Sequence, residues 1–349
     1  MKHILFLLTS IAILLSACAP LTKSSNATPS STPLPQPMSQ PTPNPGYTQD
    51  ASSTATPQTD PAPFDPAPPS GTSQGRPVPV SNGLIPADEA NTYWVVNPSS
   101  GSRLFVRVAY PRGWNGESLP ALILVPGGTG ATEPRKAEAL AAEGFLVIIF
   151  DPEGRGRSEG TEDYNGFIGQ DGLAAVIEAA TALPGLDANR YGLVSYSYGV
   201  TLATGALARH PDLPIDFYID WEGPVDRTYT TTGCGANRAG GIQWQPCSDD
   251  GWWSEREALT FIAQIRVPYQ RIQSQTDHVQ RNNNHAIDIV NAAVAAGLPW
   301  VRLNDYPTNQ TYDASNASRP AMLSDSLDKK LEKTVAVYAW YIIEKVLER

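Results

Sequence analysis

The sequence predicts one α/β domain over residues 81–349, built on a mostly parallel sheet with helices on its faces. Short apolar runs alternate there with longer segments of helical periodicity, which is the pattern of strands joined by crossover helices. Several of the runs are apolar throughout, as expected for strands that are covered on both faces. Catalytic or binding residues are therefore expected in the loops at the carboxyl ends of the strands.

Eight apolar runs are predicted as strands and five periodic segments as helices. The strands are 93–96, 104–109, 121–125, 145–150, 191–195, 215–220, 267–272 and 300–303. The helices are 133–143, 170–182, 199–209, 285–296 and 327–347. Residues 227–258, between the sixth and seventh strands, are irregular and rich in Gly and Trp, so they are predicted to form an insertion.

The first 17 residues have the pattern of an export signal. A charged start at Lys2 precedes the apolar stretch Ile4–Leu15, which is too short to span a bilayer comfortably as a permanent anchor. The segment Leu15–Cys18, which reads Leu-Ser-Ala-Cys, resembles the lipobox of bacterial lipoproteins. That resemblance implies lipidation of Cys18 and a lipid anchor on the extracytoplasmic side of an inner or outer membrane.

Residues 18–80 differ in composition from the rest of the chain. They hold half of the 32 prolines together with many Ser, Thr, Gln and Ala residues, and almost no aliphatic ones. Such a segment cannot bury enough apolar surface to offset the entropy of ordering it, so it is predicted to be a disordered tether. A Pro-rich docking ligand is the alternative, and a spacer between the lipid and the domain is favoured.

The charge balance argues against nucleic acid as a partner. Lys and Arg total 25 and Asp and Glu total 35, which gives a formal charge of −10 at pH 7. No basic run is long enough to follow a phosphate backbone, so nucleic-acid binding is not expected.

The most informative motif follows the fifth predicted strand. The chain reads Ser-Tyr-Ser-Tyr-Gly over residues 195–199 and continues at once into a helix of small residues. A strand that turns sharply into a helix needs small residues two before and two after its apex, here Ser197, whose side chain then projects clear of the sheet. The motif resembles the nucleophile elbow of the α/β-hydrolase family, with Ser195 where that family usually has glycine. The resemblance implies that Ser197 is a nucleophile.

A second motif, Leu-Val-Pro-Gly-Gly-Thr-Gly at residues 124–130, follows the third strand. It resembles the oxyanion loop of the same family, with Pro126 where a histidine often stands. The resemblance implies that the backbone N–H groups of Gly128 and Tyr198 stabilise the negative charge of a tetrahedral intermediate. Phosphate binding is the rival interpretation, but the lysine that a P-loop requires after its glycines is missing.

A third motif follows the fourth strand. Residues 150–160 read Phe-Asp-Pro-Glu-Gly-Arg-Gly-Arg-Ser-Glu-Gly and resemble a loop found in many α/β-hydrolases, with one extra residue before Gly154. Its implied role is structural. The three motifs occur in the order of that family, so residues 81–349 are identified as an α/β-hydrolase domain with an insertion after the sixth strand.

A nucleophilic serine needs a base, and the base needs an acidic partner that orients it. In the family the acid follows a late strand, and Asp277 stands at that position. The family's histidine follows the last strand, but this chain has no histidine after residue 285. The base is therefore expected in the loop that carries Asp277, as His278 or, as the alternative, His285. The side chains of adjacent residues rarely point the same way, so Asp277 need not be the acid that orients His278. Other acids are therefore also considered for that role.

Those other acids are Glu222 and Asp220, at the end of the sixth strand. His210 ends the helix that follows the elbow, so it is interpreted as a residue that interacts with the helix dipole. Two alternatives to serine chemistry remain. One is a degenerate hydrolase that serves as a surface binding module. The other is a metal site built from the four side chains Asp277, His278, His285 and Asp305.

The insertion contains the remaining two cysteines, Cys234 and Cys247. Outside the cytoplasm they are free to form a disulfide. Trp244, Trp252 and Trp253 are predicted either to line a substrate cleft or to form the insertion's own small core.

Together these patterns predict an extracytoplasmic, membrane-tethered serine hydrolase that cleaves a carboxylic ester or an amide. The expected partners are a small or polymeric ester or amide substrate and, through Cys18, the lipid of a membrane. No cofactor is implied.

Overall fold

The computed structural model describes residues 83–230, 234, 245–280, 282–314, 322–323 and 330–349. The described residues all fall within the unit Pro66–Arg349. The predicted export signal, Cys18, the tether through residue 80 and Trp244 lie outside the described residues. Among the helices that are described, none is both long enough and apolar enough to cross a membrane.

Nine strands form one sheet in the described part of the chain, in the order β1-β2-β3-β5-β4-β6-β7-β8-β9. The first three strands and the β3–β5 pair are antiparallel, whereas every pair from β5 to β9 is parallel. The strands are β1 (Ile85–Pro86), β2 (Thr92–Val96), β3 (Arg103–Ala109), β4 (Leu119–Val125), β5 (Leu146–Phe150), β6 (Leu186–Tyr196), β7 (Phe217–Trp221), β8 (Tyr269–Ile272) and β9 (Val301–Leu303).

Seven helices accompany the sheet over the same described ranges. They are α1 (Pro134–Ala142), α2 (Phe167–Ala180), α3 (Gly199–Arg209), α4 (Asp250–Ser254), α5 (Ala258–Ile262), α6 (Asn284–Ala295) and α7 (Leu331–Lys345). Helices α1 and α7 pack on one face of the sheet, and α2, α3, α5 and α6 pack on the other. The central strands are buried on both faces, which is why their sequences are apolar throughout.

The predicted fold class, a mostly parallel sheet flanked by helices, is confirmed. The eight predicted strands and five predicted helices all occur, with ends shifted by a few residues. The largest shift is in β6, which begins at Leu186 because Leu119 of β4 pairs with it before an irregularity in the register. Helices α4 and α5 have only five residues each, so they show too little periodicity to be recognised in the sequence.

Strands β6, β7 and β8 are neighbours in the sheet, and they run parallel to one another. Their carboxyl ends therefore lie side by side at one edge. The segments that follow these three ends contain the side chains named above as a nucleophile, base or orienting acid, except Asp220, which lies within β7.

Candidate active site

Ser197 stands at the apex of the turn from β6 into α3, in a left-handed backbone conformation with φ +50°. Its N–H donates to the carbonyl of Trp221 at 2.8 Å, which ties the turn to the end of β7. Two residues further on, a Cβ at Gly199 would lie 2.6 Å from the carbonyl oxygen of Pro126. Only glycine fits there, so the close approach of the two segments explains why the motif needs a small residue after its apex.

Ser195 occupies the position where the family usually has glycine. Its hydroxyl is fully buried and lies 2.6 Å from the hydroxyl of Tyr218 and 3.3 Å from Oδ1 of Asp220. The extra side chain is therefore accommodated by two polar partners, because a buried hydroxyl without partners would destabilise the fold. Ser195 is accordingly a structural serine, and its hydroxyl does not face the same region as that of Ser197.

His278 lies beside the serine. Its Nε2 is 2.9 Å from Oγ of Ser197, and its Nδ1 is 2.8 Å from Oε2 of Glu222. The imidazole thus connects a hydroxyl on one side with a carboxylate on the other. With Nδ1–H donating to the carboxylate, Nε2 is left as the acceptor for the serine proton, and this tautomer is assigned from the hydrogen bonds.

Glu222 is held rigidly at the end of β7. Its backbone is also left-handed, with φ +49°, and its side chain is completely buried. Oε1 accepts the N–H of Ser274 at 2.8 Å, and Oε2 accepts the N–H of His278 at 3.1 Å as well as the ring. Three donors therefore fix the carboxylate, so it orients the imidazole with little freedom of its own.

Asp277, the predicted orienting acid, lies slightly further away. Its Oδ1 is 3.5 Å from Nδ1 of His278, beyond the distance of Glu222. Oδ1 instead accepts the N–H groups of Val279 and Gln280, at 2.8 and 2.6 Å. The geometry thus favours Glu222, the alternative acid of the sequence interpretation, as the direct partner of His278, and Asp277 as the residue that closes the turn around it.

His285, the alternative base, does not lie at the serine. Its ring is fully buried, with Nε2 at 3.1 Å from Oδ2 of Asp277. Nδ1 faces the carbonyl of Gly223 at 2.9 Å and Nη2 of Arg271 at 3.0 Å. The ring is therefore enclosed behind the Asp277 carboxylate, on the side away from Ser197.

Asp220, the other acid considered, points into the protein. It pairs with Nη1 of Arg271 and accepts the hydroxyl of Tyr269 at 3.1 Å, and both members of the ion pair are fully buried. In this position Asp220 does not contact His278, so it is not the acid that orients that ring. Arg271 was not predicted, although a charged residue inside a buried apolar strand is a signal in itself, because it requires a partner.

Trp221 was also missed. Its indole stacks on the His278 imidazole, with ring centroids 4.6 Å apart and planes 25° apart. The ring of Trp221 covers one face of the base and limits the orientations that it can take. The only hint in the sequence is an aromatic residue at the carboxyl end of a predicted strand.

The predicted oxyanion loop lies against the serine turn. A Cβ at Gly127 would be 2.8 Å from the carbonyl oxygen of Tyr196 and 2.9 Å from Cβ of Ser197. Gly128 adopts a left-handed conformation, φ +56°, and a Cβ added there would meet no atom within 4 Å. The loop and the nucleophile turn therefore pack backbone against backbone, as two amides that bind one oxygen would require.

The turn is supported from the other side by Asn165. Its Nδ2 donates to the carbonyl of Tyr198 at 2.8 Å, and its Oδ1 accepts Nη2 of Arg155 at 2.7 Å. Asn165 and the preceding Tyr164 both have positive φ, at 65° and 51°. No sequence signal pointed to Asn165.

The loop after β5 is closed by its own side chains. Asp151 accepts the N–H of Arg157 at 2.8 Å, and a Cβ at Gly156 would lie 2.3 Å from Oδ2 of Asp151. Arg155 forms an ion pair with Glu162 at 2.6 Å. The contacts of Asp151 lie within the loop, and the ion pair connects the loop to Glu162. Both are consistent with the structural role that the resemblance implies.

Ligand atoms of Glu222, Asp277 and His278 lie within 4.8 Å of one another, which is the one cluster of this kind among the described residues. Asp305 is elsewhere and pairs with Arg302 at 3.1 Å. A divalent ion would have to displace the 2.8 Å contact of His278 with Glu222 and compete with two amides for Asp277. The donor set therefore fits a hydrogen-bonded triad better than it fits a metal.

In the insertion, Cys234 and Cys247 form a disulfide with their Cα atoms 5.4 Å apart, as predicted. Trp252 and Trp253 are buried, and Nε1 of Trp253 donates to the carbonyl of Pro246 at 3.1 Å. The two indoles pack against each other with ring centroids 4.6 Å apart, and Trp252 also lies 6.3 Å from the ring of Tyr164, outside the insertion. At the end of α3, Nε2 of His210 lies 2.8 Å from Oδ1 of Asp171, which belongs to α2.

Comparison with known proteins supports the fold. A family model described as the alpha/beta hydrolase fold matches residues 120–213, which run from β4 to the end of α3 and include Ser197. A search of curated proteins found no match. Solved structures with the same architecture were found at low sequence identity, so they bear on the fold alone.

Three of these structures illustrate the range. Porphyromonas gingivalis dipeptidyl peptidase 4 is 18% identical, with a TM-score of 0.53 over 74% of this chain and 35% of that one. Pyrococcus horikoshii acylaminoacyl peptidase is 14% identical, with a TM-score of 0.53 over 75% of this chain and 42% of that one. Est1E from Butyrivibrio proteoclasticus, solved with ferulic acid bound, is 16% identical, with a TM-score of 0.50 over 72% and 98%.

This chain spans 35% and 42% of the length of the two peptidases that it matches. It resembles Est1E over almost the whole of that protein. The described domain has the α/β-hydrolase fold.

Proposed function

We propose that this protein is a serine hydrolase that cleaves a carboxylic ester, or an amide, through an acyl-enzyme on Ser197. One observation carries the proposal. Ser197, His278 and Glu222 form a continuous chain of contacts, 2.9 Å from hydroxyl to imidazole and 2.8 Å from imidazole to carboxylate. A buried carboxylate, an oriented imidazole and a hydroxyl at a strained turn are the groups that activate a serine.

In acylation, Oγ of Ser197 attacks the substrate carbonyl carbon while Nε2 of His278 takes the hydroxyl proton. The carbonyl oxygen becomes an anion, which the backbone N–H groups of Gly128 and Tyr198 stabilise. The imidazolium keeps its proton on Nδ1 and donates it in a hydrogen bond to Glu222, and the negative charge of that carboxylate stabilises the cation. Collapse of the intermediate breaks the bond to the alcohol or amine, and His278 returns its proton to that leaving group.

Deacylation repeats the steps with water. His278 removes a proton from the water molecule, and the resulting hydroxide attacks the acyl carbon. The second tetrahedral intermediate uses the same two amides. Its collapse releases the carboxylic acid and returns the proton to Ser197, so the enzyme is restored without a cofactor.

The proposal places the base and the acid on loops that differ from the family's usual ones. The acid follows β7 and the base follows β8, whereas the family's acid and histidine follow later strands. The chain order of serine, acid and histidine is nevertheless kept. Since the two loops are adjacent, the arrangement needs no residue from the segment between β9 and α7.

Two of the structures that share the fold are named as peptidases and the third, Est1E, was solved with ferulic acid bound, so we keep both an ester and an amide in the proposal. We further propose that Cys18 carries lipid and tethers the domain outside the cytoplasm, on the strength of the Leu15–Cys18 motif. Incorporation of a labelled fatty acid that disappears in Cys18→Ala would support this part, and incorporation that persists in that variant would contradict it.

A fluorophosphonate probe tests the catalytic proposal. Such probes phosphonylate activated serines, so the wild type should be labelled and the modified peptide should contain Ser197. Ser197→Ala should abolish labelling. Ser195→Gly is the matched control, because it removes the neighbouring serine of the same turn and should leave labelling intact. A folded wild type that resists the probe would instead support the binding-module interpretation.

A further inference from the structure

The turn that carries His278 is shaped by the carboxylate of Asp277. Its Oδ1 accepts the N–H groups of Val279 and Gln280, the two residues that follow His278. The same oxygen lies 3.5 Å from Nδ1 of the His278 ring. The orientation of this one carboxylate therefore sets both the path of the turn and the position of a second negative charge beside the imidazole.

The carboxylate of Asp277 is in turn held from behind. Its Oδ2 accepts Nε2 of Gln273 at 2.9 Å and faces Nε2 of His285 at 3.1 Å. Burial alone would raise the pKa of Asp277, but the hydrogen bonds from His285, Gln280 and Gln273 outweigh it and hold that pKa well below its usual value. Asp277 is therefore ionised at neutral pH.

The contacts of His285 indicate that its Nε2 carries a proton that points at Asp277. An ionised carboxylate can only accept, and Oδ2 of Asp277 lies 3.1 Å from Nε2. Nδ1 lies 3.0 Å from Nη2 of Arg271 and 2.9 Å from the carbonyl oxygen of Gly223, and these two groups hold the ring from its other side. Arg271 cannot easily move, because it also donates to Asp220, to the carbonyl of Gly223 at 3.1 Å and to Gln273 at 2.8 Å.

We propose that His285 and Asp277 are positioning residues, a second and fully enclosed imidazole–carboxylate pair that fixes the His278 turn and supports its imidazolium. His285 touches neither Ser197 nor the reacting atoms. It acts through Asp277, which faces Nδ1 of His278 together with Glu222. This inference rests on the proposed function and adds to it a role for two side chains that the triad does not need.

A pair of substitutions at His285 tests the proposal. In His285→Gln the amide nitrogen comes close to the position of Nε2 and can still donate to Asp277. In His285→Asn the amide is near the position of Nδ1 and cannot reach Asp277. We expect kcat for an activated ester to fall about 10- to 100-fold in His285→Asn, with KM changed by less than about twofold, and His285→Gln to restore most of kcat.

Thermal unfolding of both variants separates positioning from folding. A pair with equal melting temperatures but unequal kcat supports the proposal. Wild-type kcat in His285→Asn overturns it, and so does an equal loss in both variants. Should either variant fail to fold, Asp277→Asn, measured alone and with Glu222→Gln, gives the same decision.

In that second set, Asp277→Asn keeps an acceptor for the turn amides but removes the charge. The proposal requires that Asp277→Asn lower kcat by a larger factor in the Glu222→Gln background than in the wild type. In that background Asp277 is the remaining carboxylate at Nδ1 of His278. Strictly multiplicative losses would overturn it. Fluorophosphonate labelling of the wild type is read first: a labelled wild type with a failed variant test overturns this inference alone, whereas an unlabelled wild type overturns the proposed function and this inference together.

Discussion

Two histidines in one loop illustrate how the same chemical group is given two different roles. The His278 side chain is 24% exposed, contacts Ser197 and is backed by Glu222. The His285 side chain is 0% exposed, and its carboxylate is Asp277. Each ring therefore has a buried carboxylate on one nitrogen, and the two differ in what the other nitrogen meets.

That other nitrogen is decisive. Nε2 of His278 faces a hydroxyl, whereas Nδ1 of His285 faces the guanidinium of Arg271 and the carbonyl oxygen of Gly223. A catalytic base must accept a proton from the nucleophile that attacks the substrate. The His285 ring cannot act in this way, because it is enclosed beside a permanent cation and does not contact Ser197. The comparison teaches that access and the neighbouring charge, rather than the presence of an imidazole–carboxylate pair, distinguish a base from a structural histidine.

The largest expected effect breaks the comparison at His278. Replacing it by Gln removes the proton acceptor, and loss of the base of a serine triad lowers kcat by about 10⁶-fold. Hydrolysis of an activated ester and the rate of fluorophosphonate labelling measure this effect. His285→Gln is the matched control at the second ring, and a larger loss there than in His278→Gln would reverse the assignment of the two rings.

A second effect concerns the carboxylates. Glu222→Gln should lower kcat by about 10⁴-fold, because an amide at this position favours the wrong tautomer of the base. Asp277→Asn should cost about tenfold, since its oxygen is 3.5 Å from Nδ1 rather than 2.8 Å. Steady-state kinetics of the two variants would contradict this ranking if Asp277→Asn proved the more damaging change.

A third effect concerns the aromatic neighbours. Trp221 stacks on His278 at 4.6 Å, and Tyr229 is tilted against His285 at 5.4 Å. An aromatic pair contributes about 1 kcal/mol beyond the area that it buries, so Trp221→Leu should lower kcat by up to about tenfold. Tyr229→Leu should change kcat by less than about twofold. Equal losses would mean that stacking on the base contributes nothing particular.

The smallest effect is expected on acid stability. The pKa of Asp277 is lowered in the folded protein, so its ionised form stabilises the fold fully above the ordinary carboxyl pKa of about 4. That contribution is lost as the pH falls below this value toward the lowered pKa. Urea unfolding between pH 5 and pH 2 should therefore show a steeper loss in the wild type than in Asp277→Asn, and parallel curves would contradict the shift.

Much of the fold follows from local patterns in the sequence. Runs such as 121–125 and 145–150 are apolar throughout because both of their faces are covered in the sheet. The nucleophile turn could be located because its close backbone approach to Pro126 restricts residue 199 to glycine. The short helices α4 and α5 could not, since five residues show little periodicity.

The site was less predictable, for a different reason. Glu222 follows β7 in a left-handed conformation, so the alternation of side chains along the strand does not tell where its carboxylate points. The choice between His278 and His285 depends on burial and on Arg271, which the tertiary fold brings beside one ring and not the other. Trp221 and Asn165 contribute contacts across the sheet edge that no local pattern indicates.

Because Ser197, Glu222 and His278 follow three strands that are consecutive in the chain and adjacent in the sheet, the whole triad lies on one continuous stretch of polypeptide. Gene fusion or circular permutation that opens the chain before β6 or after α6 would leave that stretch uncut. In a hydrolase whose base follows the final strand, opening the chain after α6 would cut the stretch that carries the triad. The arrangement thus leaves the segments outside that stretch, apart from the Gly128 loop, available for grafting and for evolutionary change while the three side chains of the triad stay together.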